Sequence, residues 1–206
     1  MTVHCATGNP GKLREFRLAA KLAGIEVETL PGLAGMPPCE ETGATFEANA
    51  ILKAEYYGAN APGLLFADDS GLEVDALGGA PGVYSARFAG PDATDEANNR
   101  LLIERMRGVS SRAARFVCVI ALAGGGRVLQ TFRGTVEGEI LDEPRGPNGF
   151  GYDPLFFYSP FGCSFGEAAP ERKLTVNHRG AALRALFQHL PLLDLKQRSC
   201  DQASVD

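Results

Sequence analysis

The sequence is short of the features that mark membrane, secreted and zinc-binding proteins. No apolar run approaches the roughly 20 residues that a membrane span needs, and the N-terminus has no signal-peptide pattern. The five cysteines are scattered and form no Cys-x-x-Cys pair, which argues against both a zinc knuckle and a disulfide framework. We therefore expect a cytoplasmic protein with reduced thiols and no membrane partner.

Excess basic charge, repeats and linkers are also missing. The formal net charge is −5, which argues against a protein that coats nucleic acid but permits a local pocket for an anion. Neither an internal repeat nor a separate linker interrupts the 206 residues. We expect one domain over residues 1–196, followed by a disordered tail at residues 197–206.

The most unusual stretch is residues 64–90, LLFADDSGLEVDALGGAPGVYSARFAG. Its apolar residues 64–67 predict a short buried strand, with Asp68 and Asp69 at the strand end. Two adjacent carboxylates repel each other unless a cation or a proton intervenes, and such oxygen ligands suit Mg²⁺. Because successive strand residues point to opposite faces, we expect only one of the pair to face a given site. A solvated Asp-Asp turn is the alternative interpretation.

A second candidate segment is TGNPGK, residues 7–12, which lies between a predicted strand at residues 2–6 and a predicted helix. Free N–H groups and the helix dipole attract anions to a helix N-terminus, and Lys12 adds a positive charge. The segment is too short for a Walker A loop, and Leu13 stands where that loop needs Ser or Thr. A plain strand-to-helix turn with a surface lysine is the alternative.

A lysine on an apolar helix face marks a third candidate segment. Glu40 and Glu41 precede a helix predicted at residues 46–57, and Lys53 falls within the apolar stripe of that helix. Such a lysine must snorkel to solvent, pair with an acid or line a polar pocket. Together with the two glutamates, it could line a site that holds both metal and phosphate.

The remaining candidates lie in the second half of the chain. Phe150 and Tyr152 bracket a glycine ahead of Asp153. These aromatic rings could stack a base whose N–H groups donate to the carboxylate, or they could pack the edge of the core. His178 and Arg179 begin the C-terminal helix, where the dipole does not stabilise cations, so they could address an anion or a base edge.

The overall pattern predicts an α/β fold. Predicted strands lie at residues 25–30, 116–123, 128–132 and 136–141. Further helices are predicted at residues 94–106 and from residue 178 to an end just before Pro191.

Four of these segments together resemble the Ham1-like nucleoside triphosphate pyrophosphatases, also called inosine triphosphate pyrophosphatases. They occur in the order of the family: ATGNPGK (6–12), EETGATFEANAILKA (40–54), FADDSGLEVDALGGAPGVYSARFAG (66–90), and GFGYDP (149–154) with HRGAAL (178–183). Two departures are Asn177, where the family usually has Ser, and Ala168, where Leu is usual. The similarity is greatest to the bacterial enzymes that hydrolyse dITP, ITP and XTP.

The resemblance implies a fold, a reaction and an assembly. The fold is a long curved mixed sheet flanked by helices, with two lobes around a central cleft, and the assembly is a homodimer. The reaction is hydrolysis between the α- and β-phosphates of a non-canonical purine nucleoside triphosphate. It gives a nucleoside monophosphate and pyrophosphate, and Mg²⁺ is the cofactor.

The resemblance also implies roles for individual residues. Asp69 is the catalytic base and a metal ligand, and Glu40 is the second metal ligand. The residues implied to bind the substrate are Thr7, Gly8, Asn9, Pro10, Gly11, Lys12, Lys53, Ser70, Phe150, Gly151, Tyr152, Asp153, Lys173, His178 and Arg179.

Three other functions are compatible with parts of the sequence. A metal-independent hydrolase could use Ser70 as its nucleophile, but it needs an activating base, and the chain has only three histidines and no Gly-x-Ser-x-Gly elbow. A non-catalytic module could bind nucleotide or RNA through the glycine-rich loops and aromatic rings. A related pyrophosphatase could act on another class of modified nucleotide.

Overall fold

The computed structural model describes residues 2–203, and the side chains of residues 2–193. The side chains of the predicted tail, residues 197–206, therefore lie outside the described part of the chain. The strands are β1 (Thr2–Cys5), β2 (Glu26–Thr29), β3 (Leu64–Val74), β4 (Ala113–Gly124), β5 (Arg127–Ile140), β6 (Phe156–Tyr158) and β7 (Cys163–Ser164). The helices are α1 (Pro10–Ala23), α2 (Phe46–Gly58), α3 (Asp95–Arg105), α4 (Pro170–Val176) and α5 (His178–Ala203).

One open, mixed sheet carries the fold. Its strand order is β2-β1-β3-β4-β5-β6-β7. The pairs β2-β1 and β1-β3 are parallel, and every later pair is antiparallel. Helices pack on both faces, so the predicted α/β class with a mixed sheet flanked by helices is confirmed.

Apolar clusters on the two faces of the sheet hold the helices in place. On one face, Phe16 of α1 and Leu186 of α5 pack with Phe66 of β3. On the other face, Phe46 of α2 packs with Leu65 of β3. Because β4 is covered on both faces, its residues 116–123 are almost all buried, as expected for a central strand. A third cluster lies further along the sheet and includes residues of α3 and β6.

The largest departure from the sequence prediction is the length of β3. We expected a strand that ends at Ala67, but β3 continues through Asp68 and Asp69 to Val74. Its whole length pairs with β4, with Asp68 opposite Ile120. Backbone pairing with a fully buried neighbour therefore outweighs the turn preference of the DDSG sequence.

The prediction that α5 ends before Pro191 is also wrong, because the helix extends to Ala203 with the proline inside it. Proline removes one N–H donor from the helix. Leu193, two residues later, packs against the first apolar cluster, which favours continuing the helix. Across the part of the chain that the structure describes, no helix combines the length and the apolarity that crossing a membrane requires.

Candidate active site

A cavity of about 340 Å³ lies where the edge of β3 is uncovered. The neighbouring β1 pairs with β3 only at Leu65 and Phe66, after which the chain turns away toward α1. Beyond that point no strand of the described chain covers this edge of β3 through Gly71. Side chains from both faces of the sheet can therefore reach one cavity, and both Asp68 and Asp69 line it. The prediction that only one of them faces a given site is wrong for this reason.

Asp68 enters the cavity from the side of α1 and α5. Its Oδ2 lies 3.0 Å from Lys12 Nζ and 3.7 Å from Arg179 Nε. Burial alone would raise the pKa of Asp68, but the attraction of Lys12, Arg179 and Lys53 outweighs burial and lowers this pKa to about 2. Asp68 is therefore a fixed negative charge at neutral pH.

Asp69 enters the same cavity from the side of α2. Its Oδ1 accepts a hydrogen bond from Lys53 Nζ at 2.9 Å, and its Oδ2 accepts one from Asn49 Nδ2 at 3.2 Å. Burial raises the pKa of Asp69 above its usual value, although Lys53 opposes that shift. The two neighbouring carboxylates thus differ in basicity, and Asp69 is the better proton acceptor.

The segment before α2 brings Glu41 to the cavity. Lys53 Nζ lies 3.2 Å from Glu41 Oε1, and the backbone N–H of Gly43 donates to Asn49 Oδ1 at 2.8 Å. Glu40 is exposed and does not line the cavity. The side chains of Lys12, Glu41, Lys53 and Asp69 form what we term the open end of the cavity.

The N-terminus of α1 borders the open end. Thr7, Gly8, Asn9 and Lys12 line the cavity. Asn9 caps the helix by accepting hydrogen bonds from the N–H groups of Gly11 and Lys12 at 2.8 and 3.0 Å. Pro10 and Gly11 do not line the cavity, and they form the first turn that aims the helix dipole toward it.

Four charged side chains form a second group, the deep network, behind the other end of the cavity. Lys173 Nζ lies 2.6 Å from Asp153 Oδ2 and 2.8 Å from Glu15 Oε1. Glu15 Oε2 accepts from Arg179 Nη1, and Arg179 Nη2 donates to the hydroxyl of Ser70 at 2.8 Å. Burial raises the pKa of Glu15, but the attraction of Arg179 and Lys173 lowers it by more than burial raises it. The pKa of Glu15 therefore lies below its usual value.

Aromatic rings border the deep network. The ring of Phe150 lies 5.2 Å from Lys173 Nζ and 5.5 Å from Arg179 Cζ, within reach of cation–π attraction. Phe150 also lines a smaller cavity of about 110 Å³ beside α1. The ring packs so closely on Gly11 that a Cβ atom there would lie 2.6 Å from Phe150 Cδ1.

His178 is held neutral beside the same network. Its ring stacks on Phe116 at a centroid distance of 4.7 Å and an angle of 14°. Burial and then the neighbouring Arg179 lower the pKa of His178 well below its usual value. Its Nδ1 is buried and has no hydrogen-bond partner within the described residues. A neutral imidazole can both donate and accept, so this ring can address a polar ligand edge.

Comparison with known proteins decides the family of this chain. The sequence model of the Ham1 family matches residues 3–189. The chain belongs to the Ham1 family.

Relatives in the Ham1 family cover nearly the whole chain. A dITP/XTP pyrophosphatase of Acidobacterium capsulatum is 51% identical over 200 residues, which span 93% of this chain and 98% of the relative. One from Thermus thermophilus is 52% identical over 91% of both chains. The solved structure of the Staphylococcus aureus Ham1 protein is 40% identical, covers 93% of this chain and 98% of its own, and superposes with a TM-score of 0.82.

Most residues that the Ham1 resemblance singled out meet in the main cavity. The lining includes Thr7, Gly8, Asn9, Lys12, Lys53, Asp69, Ser70, Phe150, Gly151, Tyr152, Asp153, Lys173, His178 and Arg179. It does not include Pro10, Gly11 or Glu40. Sequence reasoning did not single out Glu15, Asn49 or Asp95 as site residues. Glu15 could have been found as Lys53 was, because it is a charged residue on the buried face of a helix.

Proposed function

We propose that this chain hydrolyses the non-canonical purine nucleoside triphosphates dITP, ITP and XTP to the nucleoside monophosphate and pyrophosphate. The observation that carries the proposal is one cavity that joins a basic carboxylate, Asp69, to the N-terminus of α1. The substrate class is supported by relatives named dITP/XTP pyrophosphatase that match about nine-tenths of the chain.

The charge balance of the cavity supports a requirement for a divalent cation. Five acidic and five basic side chains line it, so their formal charges cancel. A nucleoside triphosphate brings about four negative charges. A lining without net charge does not neutralise the negative charge of the triphosphate. We therefore expect a cation to bind together with the substrate.

The donors present fit Mg²⁺. The described residues contain no group of three His, Cys, Asp or Glu side chains that could hold a metal without help. Mg²⁺ commonly uses one or two carboxylates and completes its shell with water and substrate phosphates. We assign Asp69 and one carboxylate of the Glu40–Glu41 pair as its protein ligands. When bound, Mg²⁺ supplies charge neutralisation at the phosphates and helps to orient water.

The residues of the open end perform the proposed chemistry. Asp69 takes the proton from the water that attacks the α-phosphate. Lys53 and Asn49 hold its two oxygens in place. Lys12 and the N-terminus of α1 stabilise the charge of the phosphates.

The deep network performs the proposed recognition of the base. Arg179 of the deep network and the adjacent His178 are donors, and the O6 atom of hypoxanthine or xanthine is an acceptor. Adenine presents an amino group at this position, so a donor that faces it loses its partner. The resulting mismatch costs a few kcal/mol, which is enough to discriminate between the two bases.

The geometry does not favour Ser70 as a nucleophile. Its hydroxyl accepts a hydrogen bond from Arg179, and among the described residues no histidine is hydrogen-bonded to it. An arginine cannot take the proton of the hydroxyl. Ser70 is better suited to holding the substrate beside Asp69.

Pyrophosphate release from ITP, XTP, dITP, GTP and ATP, each with Mg²⁺ and with EDTA, tests the proposal. We expect rapid Mg²⁺-dependent release from the first three, little from ATP, whose 6-amino group mismatches the donors, and little from GTP, whose 2-amino group hypoxanthine and xanthine lack. Release from every triphosphate would leave the chemistry in place and remove the base selectivity. Tight binding of ITP without turnover would favour a binding module instead.

The metal assignment has a matched pair of variants in Glu40→Gln and Glu41→Gln. The variant that removes a ligand should need about tenfold more Mg²⁺ for half-maximal activity, whereas its neighbour should resemble the wild type. A titration of activity with Mg²⁺ measures both. Unchanged Mg²⁺ dependence in both variants would exclude the pair as a source of ligands.

We also propose a cytoplasmic homodimer, on the family resemblance. The four cysteines described, Cys5, Cys39, Cys118 and Cys163, are all free thiols, which suits a reducing compartment. Sedimentation equilibrium tests the dimer, and a mass of about 22 kDa at micromolar concentration would exclude it.

A further inference from the structure

Helix α3 is hydrogen-bonded to the loop that carries Phe150, although no catalytic or substrate-binding role has been assigned to this helix. Asp95 and Asn99 are one helical turn apart and lie on the same face of α3. The N–H of Gly151 donates to Asp95 Oδ2 at 2.6 Å, and Asn99 Nδ2 donates to the carbonyl of Gly151 at 3.0 Å. Both polar groups of one residue in the loop are thus bound by one helix.

The residues on either side of Gly151 are also fixed. The N–H of Phe150 donates to Asp153 Oδ2 at 2.9 Å, and the hydroxyl of Tyr152 donates to the carbonyl of Ser85 at 2.9 Å. Gly151 has a φ of +60°, a conformation that residues with a side chain rarely adopt. The two hydrogen bonds from α3 therefore fix the orientation of the peptide planes next to Phe150.

The state of Asn99 argues that this contact is more than surface packing. Only 9% of the residue is exposed, and its Oδ1 has no hydrogen-bond partner within the described chain. Burying an unpartnered amide oxygen is costly, and an apolar side chain in its place would avoid that cost. The donor Nδ2, which reaches Gly151, is the evident reason for an asparagine at this position.

We propose that Asp95 and Asn99 are positioning residues that hold the Gly151 peptide and so fix the ring of Phe150 where a purine base stacks. This inference rests on the proposed function, and it places the base of the substrate on Phe150, whose ring lines the main cavity beside the deep network. The helix acts through the loop by way of two residues, Asp95, which also lines the main cavity, and Asn99, which does not. Its effect should therefore appear in the affinity for substrates that carry a base.

The central variants are Asp95→Ala, which removes the acceptor, and Asp95→Asn, whose amide oxygen can still accept from Gly151. The control is Glu96→Ala, because Glu96 is a fully exposed acid in the same first helical turn and, among the described residues, forms neither a hydrogen bond nor an ion pair with the loop. Both alanine variants remove one acidic charge from the N-terminus of α3, so they share any loss of helix stability.

Steady-state kinetics with ITP and inhibition by inorganic tripolyphosphate separate positioning from general damage. Stacking of a base on an aromatic ring is strong enough that its loss should raise the KM of Asp95→Ala for ITP about tenfold. We expect kcat to change less than threefold and the inhibition constant of tripolyphosphate, which has no base, to stay within twofold. Asp95→Asn should recover most of the affinity.

Two outcomes of these kinetic measurements would contradict the positioning role of α3. If KM and the tripolyphosphate constant rise together, the damage is general. If Asp95→Ala behaves like Glu96→Ala, the helix does not position the ring. Either result would overturn the inference.

Amide exchange measured by NMR tests the contact without substrate. The N–H of Gly151 should exchange at least tenfold faster in Asp95→Ala than in the wild type or in Glu96→Ala. Equal exchange in all three proteins would overturn the inference even if ITP is hydrolysed as proposed. An absence of ITP hydrolysis by the wild type would instead refute the proposed function, and the exchange result would still decide whether α3 holds the loop.

Discussion

The two ends of the cavity satisfy their charges in different ways. In the deep network, every charged group is paired within the protein, and the side chain of Arg179 is only 3% exposed. At the open end, Lys53 is shared between Asp69, in a pair that is also buried, and Glu41, whose side chain is 29% exposed. Buried ion pairs keep their geometry because breaking one leaves a charge without solvent, whereas partly exposed pairs can exchange partners at a lower cost.

This difference matches two tasks that one nucleotide sets. A flat base with fixed donors and acceptors is recognised best by side chains that do not move. Binding of a triphosphate and its cation requires lysines and carboxylates that can exchange their ion-pair partners in the protein for the ligand. Under the proposed function, the deep network is therefore the rigid part of the site, and the open end is the part that rearranges when substrate binds.

The largest effect is expected at the open end, from Asp69→Asn. The change keeps the shape of the side chain and removes the base, so kcat should fall by about 100- to 10,000-fold. Binding of ITP, measured by calorimetry, should remain within a few-fold of the wild type. A variant with near-normal kcat would show that another group takes the proton.

Substitutions in the deep network should change the stability of the protein more than they change its catalytic rate. Glu15→Ala leaves Lys173 and Arg179 buried without their shared partner, which should cost about 3–5 kcal/mol of unfolding free energy. Glu15→Gln keeps an acceptor and should cost less. Urea denaturation measures both variants, with Glu55→Ala on the exposed face of α2 as the control. A loss below 1 kcal/mol for Glu15→Ala would contradict the rigid deep network.

Asp68 forms ion pairs with Lys12 of the open end and Arg179 of the deep network, and acid should weaken them. In the folded protein its pKa is about 2, below the value of 3.8 for a free side chain. The carboxylate therefore contributes about 2 kcal/mol of stability above pH 4, and this contribution is lost as the pH falls from about 4 to 2. In urea denaturation with EDTA, Asp68→Asn should lack this part of the acid dependence. Identical pH profiles for the two proteins would contradict the ion pairs of Asp68.

The smallest effect is expected from Asn177→Ser. Asn177 Oδ1 accepts from the N–H of Gly180 and so caps α5, and its Nδ2 donates to Glu15 Oε1 at 3.1 Å. Serine keeps a capping oxygen but loses the donor to Glu15, so we expect a loss of about 1 kcal/mol. Asn177→Ala removes both hydrogen bonds and should lose about 1 kcal/mol more. Equal stability of Asn177→Ser and the wild type in urea denaturation would show that the contact with Glu15 contributes nothing, and equal stability of the two variants would show the same for the cap.

Sequence patterns predicted the elements whose local signals agree with their surroundings. The helix expected at residues 94–106 and the strand expected at residues 116–123 are found as α3 and as the buried part of β4. The course of β3 could not be predicted, because the DDSG sequence favours a turn and only pairing with β4 overrides it. Packing of α3 against the loop at Gly151 likewise brings Asp95 to the site, and no local motif marks Asp95 in advance.

The tight packing of Gly11 against Phe150 has a consequence for how the protein can evolve. Gly11 lies in the first turn of α1, within the segment proposed to bind phosphate, and Phe150 lies beside the deep network, so position 11 cannot gain a side chain while the phenylalanine is present. A methyl group at position 11 would require a side chain at position 150 without a Cγ atom, as in Gly11→Ala combined with Phe150→Ala, because Phe150 Cγ would lie 2.7 Å from it. Relatives that carry a side chain at position 11 should therefore also carry a smaller residue than phenylalanine at position 150.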